Sequence, residues 1–316
     1  LPSASHYIIT GIIEKIRMEN HCGGFLMYFD DTDRIMVIDQ DHMIEKIYDL
    51  THQIHKSWSF VQKQQHLDFS HVKHIHFAGL IPHVNTIDIL QVMMTESCSV
   101  GITVQENRNL PLWCQGKDYL LLLVVDQNNA EEMEGLLEQG INKECSIFIL
   151  FSDHKLKNNI ITKSIDHWVL PDHKFDRTTV GFDTFILYGI LHKLGLAQDI
   201  SREISNLKSN LEATIQHLDV NVPSALNPAK RLAGQMVGRW VKIIAGGVML
   251  PIANRWSDQI NQSAKTLSSF ENIYHLAYCS LSGFYNPDKV AQQSMVVFLK
   301  SGINNQKIER MVDRAK

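Results

Sequence analysis

His74 and His76 are the pair whose spacing most directly suggests chemistry. They alternate with Ile75 and Phe77, so on a strand both rings leave the same face. Two imidazoles on one face can ligate a metal, but no Asp, Glu or Cys partner is identifiable from spacing. The chain has 16 histidines. Others, including His42, His52, His55, His66, His71, His192 and His217, fall singly on polar faces, and the expectation is that there is no metal site. The 5 cysteines, Cys22, Cys98, Cys114, Cys145 and Cys279, form no C-x-x-C pair, which reads as free, mostly buried thiols in a reducing compartment. No G-x-G-x-x-G follows the first strand, which disfavours a nicotinamide enzyme. No cofactor is expected.

Composition sets the outer limits. At 316 residues, with 44% hydrophobic and 20% charged content, the chain suits a folded protein of one large core or two ordinary domains. A formal charge of −4 and a pI near 6.5 leave no basic surplus for nucleic acid or an anionic membrane. The longest apolar-rich run, Ile243–Ala253, is too short to span a bilayer and contains two glycines and a proline. No leader pattern is evident in the first residues: Tyr7–Ile13 is apolar, but Glu14, Lys15 and Arg17 follow at once. The expected location is the cytoplasm.

The elements that would position these residues alternate. Phe25–Phe29 and Arg34–Ile38 flank Asp30–Asp33 and read as a hairpin. Met43, Ile44, Ile47, Leu50, Ile54, Trp58 and Val61 recur at helical spacing, predicting one helix over Asp39–Gln65. Strands are predicted at Val72–Ala78, Val100–Gln105, Tyr119–Val125, Ser146–Phe151 and His167–Leu170, with helices at Val84–Thr95 and Ala130–Gln139. The continuous apolar run Tyr119–Val125 marks a strand buried on both faces. Long helices at Val180–Leu194 and Ser201–Leu218 precede a turn-rich boundary at Pro223–Asn227. A second cycle then follows: a helix capped by Asn227 with Pro228 at its first position, a strand at Val241–Ala245, a helix at Met249–Lys265, a strand at Met295–Leu299, and a helix over Lys307–Arg314. Strand–helix alternation of this kind means parallel sheets wrapped by helices.

From about Asp39 to the C-terminus, this order and spacing resemble the bifunctional phosphoglucose/phosphomannose isomerases, a family of SIS (sugar isomerase) fold. The most specific stretch is Ala245–Lys265, AGGVMLPIANRWSDQINQSAK. Where the family reads R-W-x-x-Q-x-N-E-N-A-K, Arg255, Trp256, Gln259, Asn261, Ala264 and Lys265 match. The resemblance implies an α/β fold of two SIS-type, doubly wound parallel-sheet domains flanked by helices. These would be residues 39–222 and 223–316, after a small extension over 1–38, and the second domain reads as truncated at its C-terminus. It also implies a sugar phosphate as ligand and a homodimer.

The resemblance places site residues by position, and many are substituted. Gln262 stands where the family's proton-shuttling Glu would be, and an amide cannot take a proton from carbon as a carboxylate can. The first phosphate loop, G-M-G-G-S in the family, is Gly79 to His83 here. The second, S-Y-S-G-N-T-E-E, runs from Val125 through Asp126, Gln127, Asn128, Asn129 and Ala130 to Glu131 and Glu132, without its hydroxyls. Candidate ligand-binding positions are therefore Gly79, His83, Gln127, Asn129 and Ala130. Arg177 occupies the slot of an Arg that lies over the reacting carbons; the alternative, a surface guanidinium paired with Asp172 or Asp176, stays open. Tyr278 replaces a His that assists ring opening, and His275 lies one turn away. Candidate catalytic positions are thus Arg177, Gln262, Tyr278 and His275. Three expectations follow: a catalytically degenerate SIS protein acting in binding or regulation, an active aldose–ketose isomerase with relocated groups drawn from His83, His275, Tyr278 and Asp126, or a structural dimerisation module within a larger assembly.

Overall fold

The computed structural model describes residues 29–79, 84–105, 108–160, 165–171, 173–302 and 306–315. The described residues form two compact units, one within residues 52–201 and the other within residues 202–315 together with residues 29–51.

The 52–201 unit is built on a parallel five-stranded sheet of order β2-β1-β3-β4-β5. The strands are β1 (His74–Ala78), β2 (Gly101–Val104), β3 (Tyr119–Val125), β4 (Ser146–Phe151) and β5 (Asp166–Val169). The central β3 is buried along nearly its whole length, as its unbroken apolar run requires. Leu121, Leu123 and Val125 pack with Met133, Leu136 and Leu137 of the helix Ala130–Asn142. Gly189 lies in the buried helix Val180–Lys193, against Val61. A β-carbon there would come within 2.2 Å of Val61 Cγ2, so only glycine permits this approach.

The other unit carries a parallel three-stranded sheet, β7-β6-β8, from Trp240–Ala245 (β6), Ser268–Asn272 (β7) and Ser294–Phe298 (β8). Val241, Ile243 and Ala245 pack with Met249, Ala253 and Ile260 beneath the helix Leu250–Ser263. On the opposite face Ile244 and Phe298 meet Ile273, Leu276, Ile308 and Val312. Asn227 caps the helix Pro228–Met236 by accepting from the amides of Ala229 at 3.0 Å and Lys230 at 3.2 Å, the local logic expected of Asn-Pro.

Several local expectations are corrected. Arg34–Ile38 is not a hairpin arm: Thr32–Ile38 is a helix, capped by the Asp31 side chain, and Phe25–Tyr28 lies outside the described residues. The single helix expected over Asp39–Gln65 is two, Met43–Tyr48 and Leu50–Gln62. The Asp39 carboxylate starts the first of these by accepting from the amides of Met43 at 2.7 Å and Ile44 at 2.9 Å. The helix expected to reach Lys265 ends at Ser263, and Lys265 takes a left-handed φ of 51°. The strand Ser268–Asn272 and the helix His154–Ile160 were not foreseen.

Candidate functional site

The loop after β3 is organised by its own side chains. Asp126 Oδ1 accepts from the amides of Asn128 at 2.7 Å and Asn129 at 3.1 Å. Asn129 Oδ1 in turn accepts from the Asp126 amide at 2.8 Å, and its Nδ2 donates to Val124 O at 2.8 Å. Both side chains are buried. A buried carboxylate therefore occupies two amides of this loop, and its charge opposes an anion close by. Gln127 is exposed, with Nε2 3.5 Å from Asp153 Oδ2. Ala130 begins the following helix and packs against the core.

Gly79, at the end of β1, lies close to β3, so that a β-carbon would stand 3.0 Å from Val124 Cβ. Close strand packing thus accounts for the glycine. His83 lies outside the described residues. Arg177 is half-buried in the turn before the helix Val180–Lys193. In that turn the Asp176 carboxylate accepts from Thr178 N at 2.6 Å and Thr178 Oγ1 at 2.5 Å. Beside it, His173 Nε2 meets Asp183 Oδ1 at 3.0 Å and Thr179 Oγ1 donates to Asp183 Oδ2 at 2.8 Å. The His173 ring stacks on Phe182 with centroids 4.0 Å apart.

His74 and His76 share a face as expected, but their partners are side chains of the same sheet edge. His76 Nε2 is 2.7 Å from Gln105 Oε1, and its Nδ1 is 2.7 Å from Thr103 Oγ1. His74 Nε2 also reaches Thr103 Oγ1, at 2.8 Å. Trp113 meets both rings edge-on. Because Gln105 Oε1 can only accept, His76 carries its proton on Nε2 and takes the Thr103 hydroxyl on Nδ1. The Thr103 oxygen then accepts from His74. Burial lowers the proton affinity of both imidazoles. Among the described residues no group of three or more His, Cys, Asp or Glu could hold a metal.

In the other unit, the segment that carried the family resemblance has a structural task. Asn261 Nδ2 donates to Ser257 O at 3.0 Å and Ser268 O at 2.9 Å, while its Oδ1 accepts from Ser268 N at 2.9 Å. It thereby ties the helix Leu250–Ser263 to β7. Lys265 Nζ donates to Gln262 O at 2.7 Å, and the Gln262 residue is exposed. Tyr278 is 78% exposed.

A cluster that the sequence did not suggest lies near His275. Glu271, on β7 and 9% exposed, accepts from His275 Nδ1 and Ser280 Oγ through Oε1. Its Oε2 stands 2.5 Å from Lys242 Nζ, and that ammonium lies 4.8 Å over the Phe284 ring. Burial raises the Glu271 carboxyl, but the contacts to Lys242, Ser280 and His275 outweigh it and hold the group below its ordinary value. With Nδ1–H on the carboxylate, His275 keeps Nε2 as its acceptor nitrogen, on a side chain that is 63% exposed. Glu271 was missed because Ser-Ser-Phe-Glu-Asn has no apolar alternation to mark a strand.

Residues 225–316 match the bacterial phospho-glucose isomerase C-terminal SIS domain. A bifunctional phosphoglucose/phosphomannose isomerase from Caldicellulosiruptor bescii is 23% identical over 260 residues, 81% of this chain and 76% of that protein. One from Aquifex aeolicus is 24% identical over 172 residues, 54% of this chain and half of that protein. Among solved structures, glucosamine-6-phosphate deaminase from Thermotoga maritima superposes with a TM-score of 0.56 at 12% identity, covering 86% of this chain and 81% of that one. The C-terminal domain of glucosamine-fructose-6-phosphate aminotransferase from Francisella tularensis gives 0.53 at 10% identity, covering 88% and 94%. These two likenesses establish the fold.

Proposed function

We propose that this chain is a divergent member of the bifunctional phosphoglucose/phosphomannose isomerase family that has lost the isomerase chemistry and acts by binding, in a regulatory role. The ligand class is a sugar phosphate and the assembly a homodimer. The observation that carries the reading is Gln262, a neutral amide on the exposed end of its helix where the family resemblance calls for the base. Aldose–ketose isomerisation moves a proton between adjacent carbons, and loss of the general base alone costs about two to four orders of magnitude. The carboxylate of Asp126 on the loop amides supports the loss of isomerase chemistry but, by opposing an anion at that loop, speaks against the ligand class.

The test is hydrogen exchange at C2 of glucose 6-phosphate and mannose 6-phosphate in heavy water, followed by NMR. No deuterium should enter; turnover that depends on Arg177 would sink the proposal. The ligand class is tested separately by thermal unfolding, because a ligand specific to the native state must raise the midpoint. No rise with either sugar phosphate removes that part of the reading.

A second reading, an active isomerase with relocated groups, is supported by Glu271 and His275. A buried carboxylate orienting an exposed imidazole is a general-base arrangement. It predicts C2 exchange that is abolished in His275→Asn, and absence of exchange in the parent protein rejects it.

A further inference from the structure

Cys114 and Cys145 lie together in the core of the 52–201 unit, in the cluster built around β3 and the helix Ala130–Asn142. Cys114 is fully buried and Cys145 is 6% exposed. Cys114 precedes β3 and Cys145 immediately precedes β4, so both stand at the starts of adjacent strands. Cys145 Sγ donates to Cys114 O at 3.6 Å, and the two thiols hydrogen-bond to each other. Both are free thiols.

The surrounding backbone fixes this approach. Gly116 N donates to Lys143 O at 2.8 Å, and Ser146 Oγ donates to Lys117 O at 2.8 Å. Lys143 Nζ donates to Pro111 O at 2.7 Å and Leu110 O at 3.3 Å. Thiols in mutual contact on segments tied this closely need only side-chain rotation to bridge. The pair is also polarised. The hydrogen bond from Cys114 holds the Cys145 thiol below its ordinary value, and the Lys143 ammonium adds to this against the pull of burial. The same bond, together with burial, pushes the Cys114 thiol up. Cys145 is thus the nucleophile and Cys114 the resolving thiol. Glu144, immediately before Cys145, is exposed, so the pair lies one residue below the surface.

We propose that Cys114 and Cys145 form a redox modification site, at which hydrogen peroxide converts the pair to a reversible disulfide. The Cys145 thiolate attacks one peroxide oxygen and the O–O bond breaks. This gives a sulfenic acid, and the departing hydroxide takes the proton that Cys145 gave up, forming water. The Cys114 sulfur then attacks the sulfenyl sulfur, the S–O bond breaks, and hydroxide leaves with the Cys114 proton as a second water. Two thiols lose two electrons and one peroxide becomes two waters. A dithiol reductant reverses the step by exchange. The bridge joins the starts of β3 and β4 and closes a loop that holds β3 and the helix Ala130–Asn142, so the oxidised protein resists unfolding. It lies at the opposite end of β3 from Asp126 and Asn129. The clamp therefore acts on stability and is independent of the sugar-phosphate reading.

The experiment treats the whole reduced protein with hydrogen peroxide, in parallel with Cys114→Ser and Cys145→Ser. Intact mass and non-reducing peptide mapping follow the product. The wild type should lose about 2 Da and yield a peptide linked through Cys114 and Cys145 that dithiothreitol separates. Its melting midpoint should rise by roughly 5–10 °C and return on reduction. Neither variant should show the linked peptide or the rise. The wild-type map decides the site even where a variant folds poorly. A gain of about 32 Da at either cysteine, links only to Cys22, Cys98 or Cys279, or a pair that stays reduced would each overturn the site. A link between Cys114 and Cys145 without a rise in midpoint overturns the clamp.

Discussion

Asp126 and Asn129 lock each other in place: the Asn129 side chain accepts the Asp126 amide at 2.8 Å, and the Asp126 carboxylate accepts the Asn129 amide at 3.1 Å. The loop after β3 is thus shaped from within. Replacing Asp126 with Ala removes the acceptor for two amides and should destabilise the fold by about 1–3 kcal/mol, read from urea unfolding. The same variant removes a negative charge from the loop, so glucose 6-phosphate should raise its melting midpoint more than that of the wild type. An equal or smaller rise would show that the carboxylate does not oppose phosphate.

Glu271 links stability to acid. Its carboxyl sits below the ordinary value of 4.5, the contacts to Lys242, Ser280 and His275 outweighing the upward pull of burial. A depressed carboxyl contributes stability that is complete above its unfolded value and is lost as pH falls through the folded one. Glu271→Gln should therefore cost stability at neutral pH and flatten the loss below about pH 4.5. Chemical unfolding from pH 7 to pH 3 measures both, and an unchanged acid limb contradicts the assignment.

His76 acts in the neighbouring pH range with the opposite charge logic. Burial lowers its proton affinity from the ordinary 6.5, and the neighbouring His74 adds to this, partly offset by Gln105. The unfolded chain then binds the proton more readily, so this contribution is complete above about pH 6.5 and declines as pH falls. His74, Thr103, Gln105 and Trp113 face the ring. His76→Gln should reduce the slope of stability between about pH 6.5 and 5, with His74 accounting for what remains. A slope identical to wild type would place the titration elsewhere.

Gly189 and Val61 test the packing. A β-carbon at 189 would clash with Val61 Cγ2 at 2.2 Å, and overpacking of this kind costs about 1–3 kcal/mol. Gly189→Ala should show that loss, and part of it should return when Val61→Ala is added. The non-additivity of the double-mutant cycle is the readout. Strict additivity would mean that the two helices separate freely.

Much of the architecture was legible because strand and helix periods are local. The unbroken seven-residue apolar run of β3 suits a strand covered on both sides, and Asn227 before Pro228 suits a helix start. Less legible were segments whose polarity is resolved by distant neighbours. Ser268–Asn272 reads as loop, yet it is a strand beside β6, tied by Asn261 and holding Glu271 against Lys242. The apolar Arg34–Ile38 reads as strand, but Asp31 provides a helix cap.

By itself, then, the sequence determined the α/β alternation, the family resemblance, and the absence of a carboxylate at Gln262, since each depends on residue identity and short-range spacing. Only the tertiary structure decided which polar groups meet. Asp126 turned out to sit on its own loop's amides, His76 to be held between Thr103 and Gln105, and His275 to be oriented by Glu271. The reason is that the free energy of a buried charge or imidazole is set by partners that the fold brings together from separate strands and turns.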